Sequence, residues 1–401
     1  MRNKWVKTSV EDFCKFSYGK GLPKRDRNRS GSIPVFGSNG RIDYHDEPYV
    51  KGPGIIIGRK GSIGNVHYSP GPFWPIDTTF FVTENNKRNL RFTYFLLKSL
   101  QLDKMNSDSA VPGLNRDAAH MLEILIPQLP TQERIADILG TLDDKIELNR
   151  QMNHTLEAMA RAIFKSWFVD FDPVYAKMEG CEYPLPAEVM DLFPDELVES
   201  EMGLIPEGWE IREVSDFGKV ITGKTPTTKN PDFYSSEDVP FLKIPDMHNQ
   251  FFIAGTSNFL SRSGADSQIN KYIPPKSICV SCIATPGLVV MSTQQIQTNQ
   301  QINSLVPKSE MFSNFLLLAL KRKGDEIRLR GSGGSVLRNL NKTDFLHIQL
   351  LIPNDVLIKY FDSLISPIFD KIVNNKQQNQ ILSKIRESLL TVLISGVLEV
   401  K

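Results

Sequence analysis

Residues 143–153, "DDKIELNRQMN", nearly return at 369–379 as "FDKIVNNKQQN". Asp144, Lys145, Ile146, Asn149, Gln151, Asn153 and Leu156 meet Asp370, Lys371, Ile372, Asn375, Gln377, Asn379 and Leu382, each displaced by 226 residues. Outward from this stretch the match continues: Leu114, Asn115, Leu125, Ile126 and Pro127 pair with Leu340, Asn341, Leu351, Ile352 and Pro353 at the same offset. Nearer the start, Trp5, Val10, Asp12, Phe13, Gly19 and Lys20 recur as Trp209, Val214, Asp216, Phe217, Gly223 and Lys224, now displaced by 204. Self-similarity of this kind decides architecture before any local propensity does. The chain is two copies of one plan, a variable domain followed by a constant helix. The interiors of the two copies share little sequence and differ in length by 22 residues.

The repeated stretch is helical. Thr131 stands as N-cap with Gln132 and Glu133 in the first turn, and "FDP" at 171–173 ends the run. In heptads, Ile135, Leu142, Asn149, Leu156 and Ile163 form one seam, with Ile138, Lys145, Met152 and Met159 as the other. The second copy sets Phe361, Ile368, Asn375, Leu382 and Leu389 beside Leu364, Lys371, Gln378, Ile385 and Val392. The residues expected to pair the helices are Leu142, Asn149, Leu156, Ile163, Ile368, Asn375, Leu382 and Leu389. An asparagine in a seam lowers stability but pins register. Two amphipathic helices each packed on its own domain remain the alternative. Gly140 and Pro367 predict a bend near each helix start.

The variable parts read as mainly β. Runs such as "GPGIIIGRKGSIGNVHYS" (52–69) and "KSICVSCIATPGLVVMST" (276–293) are short, β-branched and broken by glycine and proline. Short helices at "FTYFLLKSL" (92–100) and "SNFLLLALKRK" (313–323) complete an α+β domain. The expected fold class is α+β: two similar mainly-β domains joined by two long helices in an antiparallel coiled coil, related by a pseudo-twofold that carries the domains to opposite ends. The boundaries are 1–129, 130–205 (a long helix 131–170 plus an acidic linker), 206–352, and a distal helix in 353–401.

At 401 residues with 40 % hydrophobic and 23 % charged residues, the chain has the size and balance of a soluble two- or three-domain protein. The net charge of +1 conceals a segregation. Residues 1–30 hold nine Lys/Arg against three Asp/Glu, and 321–342 hold seven against two. Residues 169–203 hold ten acids and one lysine, a linker or a dock for a basic partner. Basic clusters in both halves point to phosphate or nucleic acid, with solvated faces as the competing account. Four scattered cysteines and an N-terminus without an apolar run lead to an expectation of a reducing cytoplasm.

No catalytic constellation stands out. The chain contains no Walker A loop, no glycine-rich dinucleotide fingerprint and no Asx-Pro-Pro-aromatic motif of an amino-group DNA methyltransferase. Cys279 and Cys282 have metal or redox spacing but no second pair, so they read as buried strand residues, and the six histidines show no ligand spacing. No metal site is expected. "GRKGSIG" (58–64) sets two cations between glycines, where backbone amides approach a phosphate closely. "KGLPKRDRNRS" (20–30) and "RLRGSGGSVLRNLN" (328–341) are cationic and loop-like. The candidate DNA-contacting residues are Lys20, Lys24, Arg25, Arg27, Arg59, Lys60, Lys224, Thr225, Arg262, Arg330, Ser332 and Arg338.

"LPTQERIADILGTLDDKIELNRQMNHTLEAMARAIFKSWFVDFDP" (129–173) strongly resembles the central conserved region of the specificity subunits of type I restriction-modification systems. "IPEGWEIREVSDF" (205–217) resembles the opening of their second target-recognition domain, and "DKIVNNKQQNQIL" (370–382) their distal conserved region. The resemblance spans essentially the whole chain. It implies a non-catalytic, sequence-specific DNA-binding subunit whose two target-recognition domains read the halves of a bipartite, asymmetric site. Its paired helices would set the gap and hold two methyltransferase subunits, to which restriction-translocase subunits attach. S-adenosylmethionine, ATP and magnesium would sit on those partners, with no cofactor on this chain. A helix of 26–37 residues spans roughly 40–55 Å, more than one DNA turn of about 34 Å. Two alternatives stay open: the specificity chain of a fused nuclease-methyltransferase, and a coiled-coil adaptor that binds no DNA.

Overall fold

The computed structural model describes residues 5–84, 88–105, 113–331 and 339–398, with only the backbone at 327–331. It forms two compact units, one built from the chain up to Leu148 with the segment from Asn379 onward, the other from Asn149–Gln378. Each unit therefore holds one variable domain and a share of both long helices.

In the first unit, Val6–Ser9 pairs antiparallel with Glu123–Ile126, so the two ends of the variable domain lie side by side where the long helix begins. Between them, strands Ser17–Tyr18, Thr79–Thr83, Gly54–Gly58 and Val66–Ser69 make a four-stranded antiparallel sheet in that spatial order. Its central strand is wholly buried, which is why "GIIIG" is a continuous apolar run instead of an alternating one. A smaller sheet orders Gly40–His45, Ile33–Gly37 and Trp74–Pro75, the last pair parallel. Helix Leu90–Ser99, capped by the Asn89 side chain, covers the first sheet.

The second unit repeats this topology strand for strand. Glu210–Glu213 pairs with Gln349–Ile352; Gly218–Thr222, Ile302–Pro307, Ile278–Ser281 and Val289–Ser292 form the larger sheet; Phe259–Leu260, Val239–Leu242 and Gln297–Thr298 form the smaller. Much of the extra length has one location. Where residues 38–39 turn the first unit's hairpin, with Gly40 at φ +104°, residues 243–258 intervene in the second and add strand Phe252–Ile253 to the larger sheet. The helix equivalent to Leu90–Ser99 is Ser313–Gly331.

Leu129–Phe168 and Asp355–Ile394 are each 40 residues long, about 60 Å at 1.5 Å per residue, and remain helical through Gly140 and Pro367. Gly140 makes room for a neighbour: a Cβ there would lie 2.8 Å from the Arg91 guanidinium, which donates to the Gly140 carbonyl at 3.1 Å. The helices run antiparallel inside each unit. In the second, Asn149 donates to Gln378 Oε1 (2.8 Å), and Asn375 donates to Asn153 Oδ1 (2.8 Å), whose own Nδ2 donates to the Ile372 carbonyl (3.3 Å). In the first, Asn379 reaches the Ile146 carbonyl, and Arg386 pairs with Asp143.

One seam matches the heptad reading. Asn149 and Asn375 are buried, and Leu142, Leu156, Ile163, Ile368, Leu382 and Leu389 are partly buried along the same row. The second seam is corrected by one residue: Leu139, Ile146, Asn153 and Ala160 are buried in the first helix, whereas Ile138 and Met159 are exposed. In the second helix Ile365, Ile372 and Leu393 are buried and Asn379 partly buried, whereas Leu364, Lys371, Gln378 and Ile385 of the expected seam are exposed; Gln378 still accepts from Asn149, and Val392 is partly buried. Each helix packs against its partner and against domain residues at once, and this widens the buried stripe beyond an a/d seam.

The acidic segment is an ordered cap instead of an extended tether. Helices Asp172–Glu179 and Ala187–Met190 and the hairpin Leu197–Ser200/Gly203–Pro206 place Val174, Val189 and Phe193 in the second unit's main core, with the Phe193 ring edge-on to Trp167 at 5.4 Å. No described helix is long and apolar enough to cross a membrane.

Candidate nucleic-acid interface

Gly19 and Gly223 show what the repeated Gly-Lys pair does. A Cβ at Gly19 would stand 2.1 Å from the Ile76 carbonyl oxygen, and one at Gly223 2.1 Å from that of Asn299, so only glycine lets the chain cross the two-residue strand beneath it. The next amide is then satisfied identically: Lys20 donates to the Pro75 carbonyl and Lys224 to that of Thr298, both at 2.9 Å. Both lysine side chains are left exposed. The "GRKGSIG" turn has its counterpart at 281–287, where Gly64 (φ +72°) and Gly287 (φ +89°) occupy matching positions. Leu114 donates to the Arg59 carbonyl (2.9 Å) and Leu340 to that of Cys282 (2.8 Å), which fixes Arg59 and Cys282 as equivalents.

Around this frame the first unit gathers cations and aromatic rings. Lys20 Nζ lies 5.6 Å from the Tyr49 ring centroid and 5.8 Å from that of Trp74, whose indole donates to the Lys20 carbonyl. Arg59 lies 5.0 Å from Tyr18, donates to the Asp77 carbonyl and precedes the exposed Lys60. Lys24 and Arg25 project from a 3-10 turn; the Arg25–Asp26 pair, 3.6 Å apart and exposed, ties that side chain down by little. Arg27 differs from them. It donates twice to the Leu22 carbonyl and lies 3.9 Å from Asp43 with its side chain 15 % exposed, so it clamps the loop from inside.

In the second unit the candidates among the described residues are fewer. Thr225 donates to Gln300 Oε1 at 2.8 Å, beside Lys224. Arg262 starts a short helix, its amide held by Asp238 and its side chain exposed. The Arg330 side chain, Ser332 and Arg338 lie outside the described residues. Sequence reasoning missed Tyr18, Tyr49, Trp74 and Arg116. The one signal for Arg116 was its place directly after the repeated Leu114-Asn115.

Cys279 is buried in strand Ile278–Ser281 and Cys282 just beyond it, and burial pushes their thiols up to about 12 and about 11. Cys14 is likewise buried and raised to about 12, while Cys181 is exposed. Since the thiolate is the reactive form, alkylation of the native protein at pH 7–8 should modify Cys181 alone; peptide mapping that finds rapid labelling at Cys279 or Cys282 would contradict this packing. Among the described residues no group of His, Cys, Asp and Glu is placed to hold a metal ion.

The comparisons with known proteins agree with this doubled architecture. A family model described as the type I restriction modification DNA specificity domain matches residues 2–158 and again 206–387. The chain is 40 % identical over 370 residues to the type I restriction enzyme HindI specificity subunit of Haemophilus influenzae, covering 80 % of each chain. It is 26 % identical over 373 residues to the MjaIX specificity subunit of Methanocaldococcus jannaschii, covering 88 % of this chain and 82 % of that one. A solved S subunit of a type I restriction-modification system from M. genitalium shares the fold, with a TM-score of 0.58 at 14 % identity over 99 % of this chain and 97 % of that one. Two matches of one DNA-specificity model, falling on the two halves that the repeat defines, establish that the chain belongs to the family of type I restriction-modification specificity subunits.

Proposed function

We propose that this chain reads a bipartite, asymmetric DNA target, one half through each variable domain, while the two long helices set the unread gap and hold methyltransferase subunits to which restriction subunits attach. The observation that carries this reading is the same β framework built twice with different side chains at matching positions, such as the exposed Tyr18 against Thr222, or Arg59 against the buried Cys282. A shared frame suits two like partners; unlike surfaces suit two unlike half-sites. Lys20, Lys24, Arg25, Lys60, Lys224 and Arg262 are exposed and supply phosphate contacts, which position a protein on a duplex without reading it. Base edges are then read from the same surfaces.

In this proposal the chain catalyses nothing itself and acts in the cytoplasm. S-adenosylmethionine, ATP and magnesium belong to the methyltransferase and restriction subunits. The test is a domain exchange. Residues 1–129 are replaced by the corresponding segment of a relative, the chimera is co-expressed with methyltransferase subunits in a methylation-free host, and modified bases are mapped across the genome. One half of the motif should change while the other half and the gap persist. An unchanged motif, or two altered halves, would remove the assignment.

A further inference from the structure

In the first unit, two guanidinium groups converge on one ring. Arg59 and Arg116 each place the guanidinium carbon 5.0 Å from the centroid of Tyr18, which is 47 % exposed. Arg59 is tethered by its bond to the Asp77 carbonyl. Arg116 opens a short helix capped by Asn115, and its Nε lies 3.3 Å from Asp117 Oδ1. A carboxylate on Nε together with a ring against the guanidinium limits how that group can turn and leaves its two Nη groups, on a side chain that is 33 % exposed, as the fork available to a ligand. Two like charges on one ring repel, and an electron-rich acceptor bound there relieves the repulsion.

The second unit has a different chemistry at the matching places. Thr222 stands where Tyr18 does, directly before the Gly-Lys pair; Cys282 stands for Arg59; Lys342 follows the capping Asn341 as Arg116 follows Asn115. There Thr222 donates to Asn303 Oδ1 (2.7 Å) and Asn303 donates to Cys282 Sγ (3.2 Å), a closed neutral network with no fork presented outward. The frame is common and this cluster is not, as expected of a residue that selects between half-sites.

We infer that Arg116 is a specificity-determining residue of the first unit, reading a guanine through its Nη pair while Tyr18, Asp117 and Arg59 hold it in place. In the major groove only guanine offers two adjacent acceptors, O6 and N7, to such a fork; adenine sets a donor beside its N7. This assignment rests on the proposal that each unit reads a DNA half-site.

The test uses the full chain with its methyltransferase subunits, comparing wild type, Arg116→Ala and Arg116→Lys by methylome mapping and by binding to a duplex carrying the mapped motif at several salt concentrations. The wild-type map decides the proposed function: without a divided motif that reading falls. With the motif present, both variants should lose specificity at one G·C pair in one half. Discrimination there should fall about ten- to hundredfold, with the other half unchanged. Arg116→Lys keeps the charge and loses the fork, so it also serves if the alanine variant fails to fold. An intact motif with uniformly weaker binding and a shallower salt slope would make Arg116 a phosphate contact and overturn the inference. Relaxation at an A·T pair, or full retention of specificity by lysine, would overturn it as well.

Discussion

Phe361→Ala should lower the stability of the second unit by about 3–5 kcal/mol. Phe361 is fully buried on the second long helix, with ring centroids of Phe164, Trp167, Phe168 and Phe315 at 6.1, 5.9, 4.8 and 6.5 Å. Those rings come from the first long helix and from Ser313–Gly331, so the phenylalanine is the point at which three helices meet. No neighbour is free to fill the void, because the same rings also pack on one another and on Phe193 and Trp209. A domain typically has only about 5–15 kcal/mol to lose. The loss should appear in denaturant titrations followed by tryptophan emission, since Trp167 and Trp209 both belong to this core. A shift below about 1 kcal/mol would mean that the three helices do not converge as described.

Arg386→Ala should destabilise the first unit by about 2–3 kcal/mol, somewhat less than a fully buried pair because both partners keep some solvent. Arg386 Nη1 lies 2.5 Å from Asp143 Oδ1, and the side chains are 17 % and 18 % exposed. Beside them is Tyr94, whose phenol is raised chiefly by burial and further by the Asp143 charge. Removing the guanidinium leaves the carboxylate with the Tyr94 hydroxyl and the Arg91 charge alone to offset its burial. The double variant Asp143→Leu/Arg386→Leu should recover most of the loss, since replacing both partners strands neither charge. A double-mutant cycle with coupling near zero would show that this antiparallel register is not the one the helices adopt.

The two predictions probe features of unequal legibility. That a long helix occurs twice, that asparagines sit in its seam, and that each follows a mainly-β domain were all readable. Asn149 and Asn375 recur in register, and heptad spacing alone places them on the apolar face. Arg386 was not readable as the partner of Asp143, because the pair is 243 residues apart and an arginine on a polar helix looks like solvated surface. The second seam was misplaced by one residue for a related reason: periodicity records one buried face, but these helices bury a wider one.

The candidate interface divides the same way. That Lys20 and Lys224 hold matching positions was legible because Gly19-Lys20 and Gly223-Lys224 are literal repeats, and the reason for the glycine is local: the chain crosses a carbonyl with no room for a Cβ. Arg27 was placed with the DNA contacts, yet the fold turns it inward onto the Leu22 carbonyl. Arg116 went unseen because its meaning depends on Tyr18, 98 residues earlier, and on Arg59 at the same ring.

From the order of residues alone come the duplication, the constant helices and the family. Those follow from repetition and local periodicity, which survive in one dimension. The common strand order of the two dissimilar interiors, the ordering of the acidic segment as a cap, and the choice of which cations face outward were settled only in three dimensions. Backbone pairing constrains sequence weakly, through burial and turn geometry, so two domains keep one topology while few residues match. A cation's role depends on carbonyls, rings and carboxylates brought to it from distant parts of the chain.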